Sequence, residues 1–532
     1  MSQPRTAVDR SARRACIVGG GIAGLAVGVY LIRSAGFAGN QITIFDQAPV
    51  AGGALDGAGT PGAGYRIRGG RMHEEHFACT WDLLSGIPTL DDPGVSVTEE
   101  VFAFNARVAS HSHARLLRAG RKVDVASYGL AKRDILDLLR LNVTPEAALD
   151  GKQIDEWFEA AFFDTVFWHL WATTFAFQRW SSLAEMRRYA IRFMHLLPGF
   201  HQLKGIVRTV YNQYDSVVLP IETWLRAQGV DFRLGTPVTD IDIEVCGAEK
   251  RATALHYLAD GQLQHCALEA DDCLFITLGS MVERSSLGSM TAPAALRPKE
   301  DTGLWALWER LASRYPFCGR PEVFNGRIDR SQWMSFTATL KTPAFFDHME
   351  RFTGNEAGTG GLVTMTDSNW LMSVVLAHQP HFRNQPADRF VFWGDGLLPA
   401  QSGNFVGKPM LECGGREILH ELFSHLGIVE QMAPLMAEIR CTPCLMPYID
   451  SQFMPRSQGD RPEVIPEGAR NFAFLGQFVE LPHDCVFTVE YSVRSAQTAV
   501  FGLLDCDARV TPLYRGDHNA RVLIDALQAL LR

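Results

Sequence analysis

The sequence predicts an α/β protein built on a Rossmann-type dinucleotide-binding fold, and two neighbouring stretches support that prediction. Residues 16–18 form a short apolar run that leads into the spacing Gly19-x-Gly21-x-x-Gly24, and an alanine-rich helix is expected to follow. A second apolar run ends on Asp46, 22 positions after the last glycine. Strand, glycine triplet, helix, strand and acid in this order are typical of a dinucleotide site.

Each residue of this pattern has a physical role. Gly19 permits the tight turn, Gly21 lets the backbone approach a pyrophosphate, and Gly24 allows the helix to pack closely on the strand. The N-terminus of the helix offers free N–H groups and the positive end of its dipole to the phosphates. Asp46 is expected to accept hydrogen bonds from a ribose.

A second glycine pair decides which dinucleotide is expected. Gly52-Gly53-Ala54 follows soon after Asp46, and this extended pattern resembles flavoproteins of the glutathione-reductase-like class, which implies FAD. No comparable fingerprint occurs later, because 358–361 (GTGG) lacks the spacing and is predicted to be a turn. We therefore expect no dedicated NAD(P)H domain.

Length and composition limit the remaining possibilities. A chain of 532 residues with 47% hydrophobic and 20% charged residues is expected to form about two to four domains with a large interior. The net charge of -9 gives no general attraction for nucleic acid. Eleven scattered cysteines indicate reduced thiols and a cytoplasmic location, and outside the glycine-rich start no stretch reaches the roughly 20 apolar residues of a membrane span.

The domain organisation is expected to be discontinuous. Residues 1–14 are predicted to be a loose basic tail. The FAD-binding domain is predicted to be assembled from 15–76, 215–300 and 465–505. The other predicted units are a helical, aromatic insert that contributes to the substrate site, an α+β substrate domain and a C-terminal helical segment, at 77–214, 301–464 and 506–532 respectively.

Several local predictions accompany this organisation. Helices are expected at 77–87 and 133–141, and strands at 96–107 and 112–126. Residues 153–200 are expected to be strongly helical, and their many aromatic side chains could form a domain core, line an apolar channel, or do both. The closing amphipathic helix, near 518–531, is expected to dock on the body, with contact to a membrane surface or a second subunit as the alternative.

Metal and hydrolase sites are not indicated. The histidines of 73–76 (HEEH) and 420–425 (HELFSH) lack the i, i+4 spacing that places two imidazoles on one helix face, so we assign no metal. There is no Gly-x-Ser-x-Gly nucleophile motif.

A broader set of motifs resembles one family. These motifs run in a single order from about residue 15 to 505, namely Arg68-Gly69-Gly70-Arg71 with Glu74-x-His76-Phe77, 174–177 (TFAF), 211–216 (YNQYDS), 379–382 (QPHF), 446–449 (MPYI), 476–480 (GQFVE) and 490–494 (EYSVR). Together they resemble the oleate hydratases, also called the myosin-cross-reactive antigen family.

The resemblance implies an FAD-containing enzyme that adds water across the cis double bond of a long-chain unsaturated fatty acid such as oleate, without net redox change. An isolated alkene is a poor base, so a positioned acid must protonate one carbon while a base delivers water to the other. Tyr189 falls where the family's proton-donating tyrosine is expected. In the family a glutamate directly follows the second arginine of Arg-Gly-Gly-Arg, but here that position is Met72.

Three replacements for that glutamate are open: Glu74, which we favour because it matches the family's second acid, Glu75, or the flavin edge with the backbone. Gln213 matches a family residue that contacts substrate. We expect Met72 to contact substrate as well. His381 matches a histidine near the fatty acid carboxylate, but the Thr-x-Asn that usually precedes it is replaced by Val375 and Ala377. This replacement suggests a different chain-length or positional preference.

The resemblance and the glycine pattern together predict the residues that contact FAD. They are Gly19, Gly21, Ile22, Ala23, Gly24, Asp46, Gly53, Ala54, Arg71, Val238, Ser280, Gly476, Phe487 and Thr488.

Two other functions remain compatible with the sequence. One is an FAD-dependent oxidoreductase of the amine-oxidase or desaturase type, and the other is a flavin- or lipid-binding protein without turnover, which Met72 makes conceivable. The sequence also leaves open peripheral contact with a membrane and the choice between a monomer and a homodimer.

Overall fold

A computed structural model of the chain describes residues 13–504 and 506–532. The predicted basic tail at 1–14 therefore lies almost wholly outside the described residues.

The strands are numbered β1 to β20 in chain order. They are Ala15–Val18, Ile42–Asp46, Gly57–Thr60, Gly64–Ile67, His73–Glu74, Leu116–Arg118, Arg121–Lys122, Ile206–Val207, Asp231–Leu234, Val238–Cys246, Glu249–Ala259, Gln262–Ala267, Cys273–Thr277, Ser286–Leu287, Trp333–Leu340, Val363–Met365, Met372–Leu376, Phe390–Gly396, Arg440–Met446 and Phe472–Leu475.

The α-helices are numbered α1 to α15 in the same way. They are Ile22–Arg33, Ala78–Ser85, Val97–Arg107, Lys132–Val143, Val166–Phe175, Leu183–Arg192, Leu219–Ala227, Leu304–Arg314, Glu322–Asn325, Ile328–Ser331, Ala344–Thr353, Gly415–Leu426, Val429–Met432, Val489–Leu503 and Ala520–Leu530.

A five-stranded parallel sheet forms the centre of the nucleotide-binding part. Its order is β20-β13-β1-β2-β9, and every neighbouring pair is parallel. All residues of β1 are buried because helices and loops cover both faces, as expected for a parallel sheet. The strands come from three separate parts of the chain, in keeping with a discontinuous domain, although the predicted domain bounds themselves stay a prediction.

Gly24 sets how closely α1 approaches β1. A Cβ atom at this position would lie 2.0 Å from the carbonyl oxygen of Gly19 and 3.1 Å from Ile17. Gly19 itself has φ +98°, a conformation that side chains rarely adopt. The helix can therefore pack on the strand only without a side chain at 24.

We expect Gly24→Ala to lower the melting temperature by several degrees or to prevent folding, because the backbone at 19 cannot move away without opening the turn. Gly62→Ala is the matched control, since a Cβ there meets nothing within 4 Å. Thermal unfolding of the two variants checks this. Equal melting temperatures for both would contradict it.

An eight-stranded mixed sheet, in the order β14-β19-β15-β18-β17-β16-β6-β7, supplies the wall beside the nucleotide-binding part. All eight residues of its central strand β15 are buried. One face of β15 packs in an apolar core with Met334 and Phe336. On the other face, Thr337 and Thr339 accept hydrogen bonds from the backbone N–H groups of Ile67 and Tyr65, which fixes β4 against the sheet.

The prediction of a strand at 96–107 was wrong, because this segment forms helix α3. Ser96 and Glu99 make reciprocal side-chain to backbone hydrogen bonds that cap the helix. The buried residues Val97, Val101 and Phe104 follow helical spacing. Within 112–126 the prediction holds in part, since β6 and β7 form a hairpin that turns at 119–120.

The aromatic segment at 153–200 is helical but broken. It consists of 3₁₀ turns at Ile154–Glu156, Ala160–Asp164 and Met194–Gln202 around the helices α5 and α6. The closing helix α15 packs against the last of these turns and buries Ala526, Ala529 and Leu530. Among the described residues, no helix has both the length and the apolar character needed to cross a bilayer.

Candidate functional site

A cavity of about 530 Å³ lies at the carboxyl ends of the parallel strands. It is lined by thirteen of the fourteen residues predicted to contact FAD, namely Gly19, Gly21, Ile22, Ala23, Asp46, Gly53, Ala54, Arg71, Val238, Ser280, Gly476, Phe487 and Thr488. Gly24 is not part of the lining. It lies behind the turn, where it has the packing role described above.

The glycine turn at the N-terminus of α1 fits a pyrophosphate. Gly21 is the residue before the helix, and a Cβ on it would meet only the Cα of Gly53, at 4.0 Å. The first turn of α1 carries no acidic side chain. Free N–H groups, the positive end of the helix dipole and open space therefore coincide, as binding of the FAD diphosphate requires.

Asp46 ends β2 at the edge of this cavity. Its Oδ2 accepts a hydrogen bond from the Gly20 N–H at 2.6 Å, and its Oδ1 accepts one from the Ala48 N–H at 2.7 Å. Burial raises the pKa of Asp46, while these two hydrogen bonds oppose the rise. Each carboxylate oxygen keeps a further lone pair for a ribose hydroxyl.

Arg71 lines the cavity near its aromatic end. Its guanidinium lies 5.3 Å from the centre of the Phe487 ring, and burial lowers the pKa of Arg71 to about 10. Phe487 has φ +67° and its N–H donates to the side chain of Gln477. The cation and the ring together form a wall at the point where the cavity meets the eight-stranded sheet.

The three residues predicted to contact substrate lie near one another. Met72 packs between the main core and an apolar cluster of the sheet that contains Trp393 and Phe382. The amide of Gln213 approaches the carbonyl of Arg71 at 3.5 Å. The carbonyl of His381 accepts hydrogen bonds from the backbone and side chain of Asn212, next to Gln213.

His381 is expected to be neutral at physiological pH. Burial, with a smaller effect from the charge of His378, lowers the pKa of His381 to about 4. A neutral imidazole can donate one hydrogen bond but contributes no full positive charge to a carboxylate.

Tyr189 is buried on α6 and does not line the cavity. Its hydroxyl donates to the carbonyl of Val486 at 2.6 Å, and Val486 directly precedes Phe487. Aromatic rings surround the phenol, with Phe175 and Phe177 in edge contact. Burial raises the pKa of Tyr189 well above its usual value, so the phenol keeps its proton.

Glu74 lies in a buried ion-pair cluster, also outside the cavity lining. Its Oε1 is 2.8 Å from the guanidinium of Arg192, and its Oε2 accepts hydrogen bonds from the N–H and the ring of His76. Burial alone would raise the pKa of Glu74, but contacts with His195, His76 and Arg192 hold it below its usual range. Glu75, the alternative acid, is exposed.

Glu74, His76 and His195 place ligand atoms within 4.8 Å of one another. Three such ligands could hold a cation, but Arg192 already balances the charge of the carboxylate. Tyr514 covers the group by stacking on His76 at 3.7 Å between ring centres. We interpret the group as an ion-pair cluster. Its member Arg192 lies three residues after Tyr189 on α6, so this helix carries both side chains.

Sequence reasoning missed Arg192, His195 and Tyr514 as partners of Glu74. Helical spacing after Tyr189 could have indicated Arg192, but Tyr514 comes from the far end of the chain and gives no local sign. It also missed Asp395 and Asp450, two buried aspartates beside the site. The sequence feature that could have indicated Asp395 is an acidic residue at the end of an apolar strand.

Comparison with known proteins agrees with the geometry. A family model described as the MCRA family matches residues 12–501. An oleate hydratase of Streptococcus pyogenes serotype M49 (strain NZ131) is 40% identical over 99% of this chain and 91% of its own length. A linoleate hydratase of Lactiplantibacillus plantarum is 31% identical over 97% of this chain and 98% of its own length.

Solved structures resemble the chain in fold. Wild-type putrescine oxidase bound to putrescine aligns with a TM-score of 0.51 at 13% identity, over 93% of this chain and 99% of its own. Cyclohexylamine oxidase from Brevibacterium oxydans IH-35A aligns with a TM-score of 0.52 at 12% identity and the same coverage. The predicted fold class, a glutathione-reductase-like FAD-binding fold, is confirmed.

Proposed function

The chain belongs to the MCRA family, and on that premise we propose that it is a fatty acid hydratase, which adds water across a cis double bond of a long-chain unsaturated fatty acid such as oleate. The observation that carries this conclusion is the similarity, over nearly the full length of the chain, to two fatty acid hydratases. The product is a hydroxy fatty acid, so the enzyme is a carbon–oxygen lyase.

FAD is the cofactor of the cavity. The turn at Gly19 and Gly21 would hold its diphosphate and Asp46 its ribose, and the wall of Arg71 and Phe487 lies at the end nearest the substrate residues. When bound, FAD supplies a planar polar surface and an electrostatic influence on the site, since hydration leaves no net redox change. The chemical steps belong to the side chains of this chain.

Tyr189 donates the proton to the alkene. Its raised pKa keeps the phenol in its acid form, and the surrounding rings exclude bulk water. A cationic carbon that forms beside aromatic faces is stabilised by them. The contact with Val486 places the hydroxyl one residue from Phe487 of the cavity wall.

Glu74 activates the water that adds to the other carbon. Arg192 and the two histidines keep the carboxylate ionised, which is the form that accepts a proton. The same contacts reduce its basicity, so Glu74 acts mainly by orienting and polarising water. Met72, at the position of the family's glutamate, offers an apolar side chain and cannot take this role.

Gln213, Met72 and His381 bind the fatty acid. Met72 contacts the apolar chain, Gln213 positions it, and His381 donates a hydrogen bond to the carboxylate. The C-terminal segment, 506–532, gives peripheral contact with a membrane, a role supported by the exposed Leu523, Ile524 and Leu527 of α15.

Incubation of the FAD-loaded protein with oleate in ¹⁸O-labelled water tests the proposal. We expect a hydroxy fatty acid that carries the label, because the oxygen comes from water. An oxidised product without label, or release of peroxide, would indicate an oxidoreductase. The absence of product with the cofactor bound would indicate a binding protein.

A further inference from the structure

Two aspartates beside the site are buried, and no cationic side chain in the described part of the chain pairs with them. Asp395 on β18 and Asp450 after β19 are each 2% exposed, and Oδ1 of each has no hydrogen-bond partner in the described part of the chain. Neither makes an ion pair with a described residue. Leaving a buried polar group unsatisfied is destabilising, so native structures normally satisfy such groups with water or a ligand.

The serine side chains opposite Asp395 are hydrogen-bonded to other groups. Ser335 and Ser373 lie directly opposite on the flanking strands. The hydroxyl of Ser335 donates to the carbonyl of Arg68, and that of Ser373 is paired with Thr364. Both hydroxyls are therefore engaged elsewhere.

More polar groups without partners surround the two acids. Trp333 and Trp393 lie on the same face of the sheet as Asp395, with ring centres 6.5 Å apart, and neither indole N–H has a partner among the described residues. Gln452, on the turn that Asp450 begins, is 0% exposed, and neither atom of its amide is bonded. We name Asp395, Asp450, Gln452, Trp333 and Trp393 the acid chamber.

Aromatic contacts place the acid chamber between the cofactor cavity and Tyr189. Trp333 is in edge contact with Phe487 of the cavity wall. Phe453, which follows Gln452, contacts both Phe487 and Tyr189, at 5.6 and 5.7 Å between ring centres. A site with this many free donors and acceptors is suited to water.

Electrostatics agree with this placement. Burial raises the pKa of Asp395 and Asp450 well above the usual range, and the charge of Asp395 adds to the rise at Asp450. Burial, followed by the charges of Cys485, Glu185, Asp484 and Asp450, raises the pKa of Tyr189. Because neither carboxyl has a cation or a donor at Oδ1 among the described residues, burial favours the neutral acid in both. Asp450 begins the turn that carries Phe453, and the ring of Phe453 packs on that of Tyr189.

We propose that Asp395 and Asp450 line a water-binding chamber and that their carboxyl groups relay protons between its water and the phenol of Tyr189. This inference rests on the proposed hydratase function. When the phenol O–H breaks and the new C–H bond forms, Asp450 gives its proton to the phenolate oxygen and receives another from chamber water next to Asp395.

The relay balances over one turnover. The water that adds to the alkene is oriented by Glu74, forms the C–O bond and loses one proton. That proton passes along water to the chamber, where it replaces the one that left the phenol. Each carboxyl gives one proton and takes one, so both end neutral. No oxidant or reductant is needed.

Asp395→Asn and Asp450→Asn test the relay in the FAD-loaded enzyme, because an amide keeps the shape of the acid without a transferable proton. We expect each to lower the single-turnover rate of hydroxylation of oleate by about 100-fold, with a larger solvent deuterium isotope effect. FAD binding should remain. Asp272→Asn is the matched control, since Asp272 is equally buried but paired with Arg14.

Infrared spectroscopy gives a readout that does not depend on activity. The wild type should show the C=O stretching bands of protonated carboxylic acids, shifted in D₂O, and each Asn variant at 395 or 450 should lose one. Wild-type rates in both variants, or no such band in the wild type, would overturn the relay. If the wild type itself makes no hydroxy acid, the proposed function fails, and the bands still report the protonation of the pair.

Discussion

Tyr189→Phe is expected to lower the rate of hydroxy fatty acid formation by roughly 10²–10⁴ while FAD stays bound. The substitution removes the one group that the geometry offers as an acid among the rings of α5 and α6, and it leaves those aromatic contacts in place. Steady-state turnover with oleate and the visible absorbance of the flavin measure the two effects separately.

Tyr491→Phe is the matched control for this substitution. Tyr491 is as deeply buried as Tyr189, and its hydroxyl also donates to a backbone carbonyl at 2.6 Å, that of Val479. Tyr189→Phe loses one buried hydrogen bond and Tyr491→Phe loses two, because the Tyr491 hydroxyl also accepts a hydrogen bond from the Leu481 N–H. At about 1 kcal/mol for each bond, the melting temperature of the control should fall at least as far as that of Tyr189→Phe. A rate for Tyr189→Phe close to that of Tyr491→Phe would remove Tyr189 from its role.

The nucleotide-binding part of the fold could be predicted because its signals are local. Gly19 has a positive φ and Gly24 packs against the backbone of Gly19, so both positions require glycine, and strand β1 before them is buried throughout. Such residues identify a fold without reference to distant parts of the chain. Helix α3 could also have been found locally, since the Ser96 and Glu99 capping pair was visible, but the apolar run was taken for a strand.

Residues of the candidate site could be predicted only where a single stretch of the sequence contains them. The residues that line the cofactor cavity follow from the glycine pattern and the family motifs, whereas the surroundings of Glu74 depend on tertiary packing. Arg192 and Tyr514 lie more than 100 residues from Glu74 in sequence, and nothing local to Glu74 indicates them. The roles of Tyr189 and Glu74 stay predictions, because each lies behind the cavity wall.

The acid chamber shows a second limit of prediction from the sequence. An aspartate at the end of an apolar strand can be a surface residue, a salt-bridge partner or a neutral acid, and only the partners across the sheet decide which. Here the hydroxyls of Ser335 and Ser373, opposite Asp395 in the sheet, are hydrogen-bonded to other groups and not to Asp395. That information exists only once the strand order is known.

Glu74→Gln is expected to reduce turnover far more than Met72→Leu. The first removes the only negative charge that faces Arg192, His76 and His195 in this cluster, whereas the second exchanges one apolar side chain for another of similar volume. If the water-activating role belongs to Glu74, kcat should fall by about 100-fold for Glu74→Gln and stay within about threefold for Met72→Leu.

Loss of stability must be separated from loss of catalysis in this comparison, because Glu74→Gln leaves the buried Arg192 without a counter-ion, at a cost of roughly 3 kcal/mol or more. Glu490→Gln provides the control, since Glu490 is equally buried and pairs with Arg494 at 2.7 Å. Melting temperatures should fall in both glutamate variants, but kcat measured on the folded, FAD-loaded fraction should fall only in Glu74→Gln. If Met72→Leu were the more damaging substitution, Glu74 would be removed from the mechanism. The position of the family's glutamate would then have a catalytic role that the apolar side chain of Met72 does not suggest.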